Sequence, residues 1–205
     1  MIFNGEMVRS LLDGRKTQTR RIVKGTDGAV KFCKEWNING EEVFVVLGEK
    51  DHTGMNPVLG AISCPFGAVG DRIWVREAFR VHSRATDVAT LVYKASERNS
   101  WTEQTRRVPV AVCNKPATPE KWTPSLHMPR WASRILLEIT GVRVERLRSM
   151  SQDDARAEGV IAASGPMEAG LAFRELWDSI YGEESWKANP WVWVIEFKRV
   201  EGGAA

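Results

Sequence analysis

The sequence predicts an α+β fold, a small β-barrel with short helices at its rim. Five or six segments carry the β-branched and aromatic runs of strands. A few short stretches carry a helical period, and strands and helices do not alternate in the βαβ rhythm of a parallel sheet. At 205 residues, 43% hydrophobic and 27% charged, the chain has the balance of a globular protein and the length of one domain with generous insertions. A chain of that size buries enough surface to fold without a disulfide or a metal.

Taken in order, Glu6 to Leu12 sets Met7, Val8, Leu11 and Leu12 at helical spacing, with Asn4 as N-cap and Gly14 as the stop. Thr17 to Val23 then reads as a strand after a tight glycine turn. Residues Gly25 to Ala68 mix short apolar pieces with Gly, Asn, Asp and Pro, which predicts an elaborated loop or a small hairpin. Arg72 to Phe79 and Ala89 to Tyr93 read as strands, and Lys94 to Pro124 as a second excursion. Arg134 to Leu147 carries the strongest strand signal, with Gly141 predicting a bulge or bend at a barrel corner.

Ser151 predicts a capped helix through Glu158 that ends at Gly159. Pro166 to Tyr181 predicts a second helix with an apolar stripe of Leu171, Phe173, Leu176, Trp177 and Ile180. Trp191 to Val200 closes the barrel as a strand, and Gly202 to Ala205 reads as a frayed tail.

Composition narrows the function classes. Lys and Arg number 29 against 26 Asp and Glu, a net charge of +3 that by itself does not indicate nucleic-acid binding. The distribution is uneven, however. Arg9, Arg15, Lys16, Arg20, Arg21 and Lys24 face the single acid Asp13 over the first segment, while Asp153 to Glu184 is acidic. That asymmetry suits an anionic ligand near the N-terminal segment, or two solvated faces of opposite sign.

Cys33, Cys64 and Cys113 are odd in number and widely spaced, which argues against a secreted disulfide scaffold and for a reducing cytoplasm. Glu6 and Arg9 interrupt any leader-like run, and no stretch approaches the ~20 apolar residues of a membrane span, so no membrane partner is expected. Cys33, His52 and Cys64 match no common zinc spacing. No Walker loop, His-Glu-x-x-His, Gly-x-Ser-x-Gly or dinucleotide fingerprint is present, so neither metal nor cofactor is expected.

The informative segment is Gly14-Arg15-Lys16-Thr17-Gln18-Thr19-Arg20-Arg21, of the form Gly-x-Lys-x-x-Thr-x-Arg at a helix-to-strand turn. It resembles the signature of the ASCH family, small β-barrel proteins related to PUA RNA-binding domains. The usual family form has Glu at the place of Thr19. Thr there is shared with the ASCH-type bacterial N4-acetylcytidine amidohydrolases, which are also similar at Ala155-Arg156-Ala157-Glu158 and at Ile195-Glu196-Phe197-Lys198. Gly70 to Glu77 and Pro124 to Arg134 resemble ASCH proteins of phages and prophages, so the resemblance spans nearly the whole chain. It implies a single PUA-like ASCH domain over 1–205, with insertions at about 25–68 and 94–124 that the compact amidohydrolases lack.

The resemblance implies Lys16, Thr19 and Glu158 as catalytic residues, with no cofactor. The chemistry fits these residue types. Hydrolysing an N4-acyl group needs attack on an amide carbonyl, stabilisation of an oxyanion and a proton for the leaving amine. A threonine hydroxyl attacks if a neighbouring base takes its proton, and a lysine of depressed pKa is such a base. Glu158 then protonates the leaving nitrogen or activates water directly. Lys16 and Thr19 have opposite parity on an ideal strand, so they converge only if Lys16 belongs to the turn after Gly14.

Arg21 shares Thr19's face and is a candidate for a carbonyl or phosphate oxygen. Trp131 is a candidate to stack on a base, with Arg130 or His127 at its edge or at a phosphate; the alternative is a buried tryptophan with arginine packed over it. Arg76 and Glu77 alternate on their strand, so only one faces a pocket. Glu77 suits a cytosine amino group, or a cross-strand ion pair. Alternatives to the amidohydrolase are a module that binds RNA, DNA or a modified base without turnover, and an ASCH-type ribonuclease using Lys16, His127 and Glu158.

Overall fold

The computed structural model describes residues 1–161 and 168–200. It is a mixed α+β protein built mostly of strands, with a curled half-barrel sheet and few short helices. In chain order the elements are α1 (Gly5–Leu12), β1 (Gln18–Ile22), β2 (Lys31–Trp36), β3 (Glu42–Leu47), β4 (Val58–Ile62), β5 (Arg72–Trp74), β6 (Phe79–Arg84) and β7 (Val88–Tyr93). There follow α2 (Trp101–Gln104), β8 (Thr105–Pro109), β9 (Leu136–Arg146), α3 (Gln152–Ala157), α4 (Glu168–Tyr181), α5 (Glu183–Ala188) and β10 (Trp191–Val200). These ten strands exceed the expected five or six. Among the described residues no helix is long and apolar enough to cross a membrane.

The chain forms two compact units, one of Met1–Gly14, Arg72–Glu138 and the chain end from Lys198, the other of Arg15–Asp71 and Ile139–Phe197. In the first, Asn4 starts α1 by accepting the Met7 N–H, Met7, Val8 and Leu11 turn inward, and Gly14 at φ +74° ends the helix. The expected strand Arg72 to Phe79 is two strands in two sheets. Its backbone changes partner midway: β5 pairs with Leu136–Glu138, Arg76 donates to the Met1 carbonyl, and Phe79 pairs with Tyr93.

β6, β7 and β8 form an antiparallel sheet whose inner face (Phe79, Val81, Leu91, Tyr93, Val108) packs on Cys113, Met128 and Ala132. β8 lies inside the stretch expected to be an excursion. It is an edge strand ending in Pro109, a place where proline is tolerated and where strand patterning is weak.

In the second unit the sheet order is β1-β10-β9, with Gln18 opposite Glu196, Arg20 opposite Val194 and Ile22 opposite Val192. The stretch expected as loop or hairpin is a three-stranded antiparallel sheet, β2-β3-β4. Only β3 shows buried alternation, at Phe44 and Val46; β2 and β4 are largely exposed, which conceals them from hydrophobic patterning.

β9 runs as one strand from Leu136 to Arg146 through Gly141. The glycine leaves room for Glu196: a Cβ at that position would lie 2.7 Å from the Glu196 Oε2, so the carboxylate would have to shift. α3 begins as expected, with Ser151 accepting the Asp154 N–H. α4 buries Phe173 and Trp177 against Leu147, Ala155, Val192 and Val194, while Leu171 and Ile180, expected in its apolar stripe, are exposed. Two rings thus dock the helix, each contributing about 1.5–3 kcal/mol on full burial. Pro166, expected to open this helix, and the tail Gly202 to Ala205 lie outside the described residues. α5, which the sequence reading lacks, adds Trp186 to the same core.

Candidate active site

Gly14 turns the chain so that the next three residues zip against the end of α3. Arg15 Nη1 donates to the Gly159 carbonyl at 2.9 Å, Thr17 N donates to the Ala157 carbonyl at 2.8 Å, and Lys16 bridges Glu158 through the backbone. Glu158 is the C-cap of α3, and Gly159 at φ +85° carries the chain away. The Lys16 Nζ therefore reaches two acceptors on one residue, the Glu158 Oε2 at 2.8 Å and its main-chain oxygen at 2.9 Å.

Glu158's other oxygen accepts from Arg20 Nη1 at 3.0 Å, so the carboxylate holds one cation on each side. The Lys16 and Arg20 side chains are fully buried and that of Glu158 is 2% exposed. Arg20 extends the network, with Nη2 2.6 Å from Glu145 and 3.5 Å from Asp154. Arg143 meets Asp154 at 2.7 Å, Glu145 at 3.2 Å and also Glu196, and Gln18 Nε2 donates to the Asp154 carbonyl at 2.8 Å.

Burial pushes the Lys16 ammonium down. Glu158 opposes this, Arg21 and Arg20 add to it, and the outcome lies below the ordinary 10.5. For Asp154, burial alone would raise the carboxyl. Hydrogen bonds from Ser151 and Gln18 and the Arg20 charge prevail and hold it well below the usual carboxylate range.

Of the three expected catalytic groups, the structure brings Lys16 and Glu158 into contact. Thr19 is 1% exposed, and its hydroxyl makes no hydrogen bond. Strand alternation puts Thr19 and Arg21 on one face of β1 and Gln18 and Arg20 on the other. A buried hydroxyl without a partner costs about 1–3 kcal/mol, a cost that a bound ligand would remove. Arg21 is half-buried, with Nη1 3.3 Å from the Arg20 carbonyl.

The chain matches no family model, no curated protein and no solved structure.

Arg76, Glu77, His127, Arg130 and Trp131 belong to the other unit. Glu77 is buried in an ion pair with Arg134, at 2.8 Å to Nε and 3.0 Å to Nη2, and Arg134 also meets Ser96 Oγ at 2.8 Å. Burial pushes the Glu77 carboxyl up against the opposing pull of Arg134. Arg76 stacks over the Trp74 ring at 4.5 Å and donates to the Leu126 carbonyl at 3.3 Å. His127 and Arg130 are exposed. Trp131 packs edge-on to Phe79 at 6.3 Å, and its Nε1 is buried without a partner. Among the described residues no group of three or more His, Cys, Asp or Glu side chains is placed to hold a metal.

The sequence reading missed Arg20, Glu145, Asp154 and Arg143 as the frame around Lys16 and Glu158. Two signals for it exist: Gln18 and Arg20 alternate in phase with Lys16, and Asp154 precedes Glu158 by one helical turn.

Proposed function

We propose that the chain is an ASCH-type, PUA-like cytoplasmic protein that hydrolyses the N4-acyl amide of acetylated cytidine or a related modified base. One observation carries this reading: a buried lysine, depressed in pKa and 2.8 Å from Glu158, lies three residues from a buried threonine hydroxyl that has no hydrogen-bond partner. Burial favours the neutral amine, which is the form able to accept a proton.

In the proposed reaction the Thr19 Oγ bonds to the acyl carbon while its proton passes to the neutral Lys16 amine. The amine must first leave Glu158, because in the resting structure Lys16 is in phase with Gln18 and Arg20 on the face away from Thr19. Arg21, on the same face of β1 as Thr19, offsets the oxyanion charge. As the carbon–nitrogen bond breaks, N4 takes the proton from Lys16 and cytidine leaves. Water then hydrolyses the threonine ester, releasing the carboxylic acid and restoring the hydroxyl. Glu158, whose two oxygens accept from Lys16 and Arg20, holds the lysine in the resting structure.

The test is to incubate the purified protein with N4-acetylcytidine and follow cytidine by chromatography, alongside Lys16→Ala and Thr19→Val. Turnover in the parent chain and none in either variant is expected. A folded parent chain without turnover refutes the hydrolase and leaves the binding module, checked by salt-dependent RNA association.

A further inference from the structure

In the first unit a cleft of about 640 Å³ opens between the start of α1, the segment after β7 and Ser125. That volume falls within the roughly 300–1,000 Å³ typical of small-molecule sites. Phe3 and Ala95 close it from behind, both buried. The rim is basic. Arg9, Lys94 and Arg98 line it, all three are exposed, and none forms an ion pair among the described residues. Arg9 spends one weak bond, 3.4 Å to the Ala95 carbonyl, and keeps its remaining donors.

Two acids share the wall. Glu77 is already matched by Arg134, so Glu97 alone opposes the three cations. Asn99 and Ser125 add neutral hydrogen-bonding groups. Uncompensated cations beside neutral hydrogen-bonding groups, in a space of this size, suit a ligand with a compact anionic end and a hydrogen-bonding body.

We propose that this cleft binds a small organic phosphate of nucleoside-monophosphate size, its phosphate held by Lys94, Arg98 and Arg9 and its body hydrogen-bonded by Asn99 and Ser125. The site is separate from Lys16, Thr19 and Glu158 in residues, and it holds whether or not those residues catalyse.

Isothermal titration of the full chain with cytidine 5′-monophosphate and adenosine 5′-monophosphate, each beside its nucleoside and inorganic phosphate, tests this. Submillimolar binding of a monophosphate is expected, with nucleoside and inorganic phosphate each about tenfold weaker or worse. The double variant Lys94→Ala/Arg98→Ala, both positions being exposed, keeps its thermal midpoint and loses roughly tenfold in affinity, the sum of two modest charge contacts. Lys16→Ala retains the parent affinity, which separates this cleft from the candidate active site. Absence of binding at millimolar monophosphate, equal binding of inorganic phosphate or nucleoside, or an unchanged affinity in the double variant overturns the proposal.

Discussion

Replacing Glu158 by glutamine removes the one negative charge that two fully buried cations share, at 2.8 Å from Lys16 and 3.0 Å from Arg20. Arg20 keeps Glu145 and Asp154, so the loss falls chiefly on Lys16. Removing one partner of a buried pair costs about 3–5 kcal/mol. An independent ceiling comes from the lysine itself, which can shed its proton. Holding a group of ordinary value 10.5 neutral at pH 7 costs about 5 kcal/mol, at about 1.36 kcal/mol per pH unit.

The sign of the pH dependence follows. Glu158 opposes the desolvation that lowers the parent's lysine, so without it the folded lysine is held further below 10.5, the unfolded chain binds more protons than the folded one, and the variant's stability rises with pH more than the parent's. Urea denaturation of Glu158→Gln should therefore show a loss of about 3–5 kcal/mol at pH 7 that shrinks as pH rises, by up to about 1.4 kcal/mol per pH unit, until the parent's own lysine, also held below 10.5, loses its proton. Lys16→Met in the same background should recover most of the deficit. A loss below about 1 kcal/mol at pH 7, or a deficit indifferent to pH, would refute the reasoning, because neither cation would then depend on Glu158.

Thr19→Val exchanges a buried, unpartnered hydroxyl for a methyl of the same shape, so the fold should gain up to about 1–2 kcal/mol while turnover disappears. A thermal melt beside the cytidine assay reads both, and a destabilised variant would mean the hydroxyl has a partner. Asp154 is held below its ordinary 3.8 in the fold, so its contribution is present above that pH and fades as pH falls below it. Asp154→Asn should be less stable at neutral pH and lose less on acidification through that range, as followed by acid titration of circular dichroism. A parallel pair of acid curves would remove Asp154 from the network.

The parts of the fold legible from sequence are those whose signals are local. α1 has its Asn4 cap and its glycine stop, α3 its Ser151 box, and β10 an uninterrupted β-branched and aromatic run. The three-stranded β2-β3-β4 sheet was illegible because two of its strands bury little and leave no apolar alternation to detect. At the candidate site, Lys16 and Glu158 are 142 residues apart in sequence and meet through a backbone bridge that no local pattern encodes. Their pairing could be anticipated only through the ASCH-like motif. Arg20 stayed hidden for a different reason: an arginine on a short strand reads as a surface charge until the acids from β9 and α3 are seen around it.

Gly141 and Glu196 make a single mutational choice of two positions. The carboxylate occupies the volume a side chain at 141 would need, and Arg143 holds it there. Alanine at 141 alone would displace Glu196 and strip one acid from Arg143. Shortening residue 196 first would open the notch, after which alanine or serine at 141 becomes admissible. Relatives of this chain that keep the Arg143–Glu196 pair are therefore expected to favour glycine at 141, and those with a small residue at 196 to admit alanine or serine there.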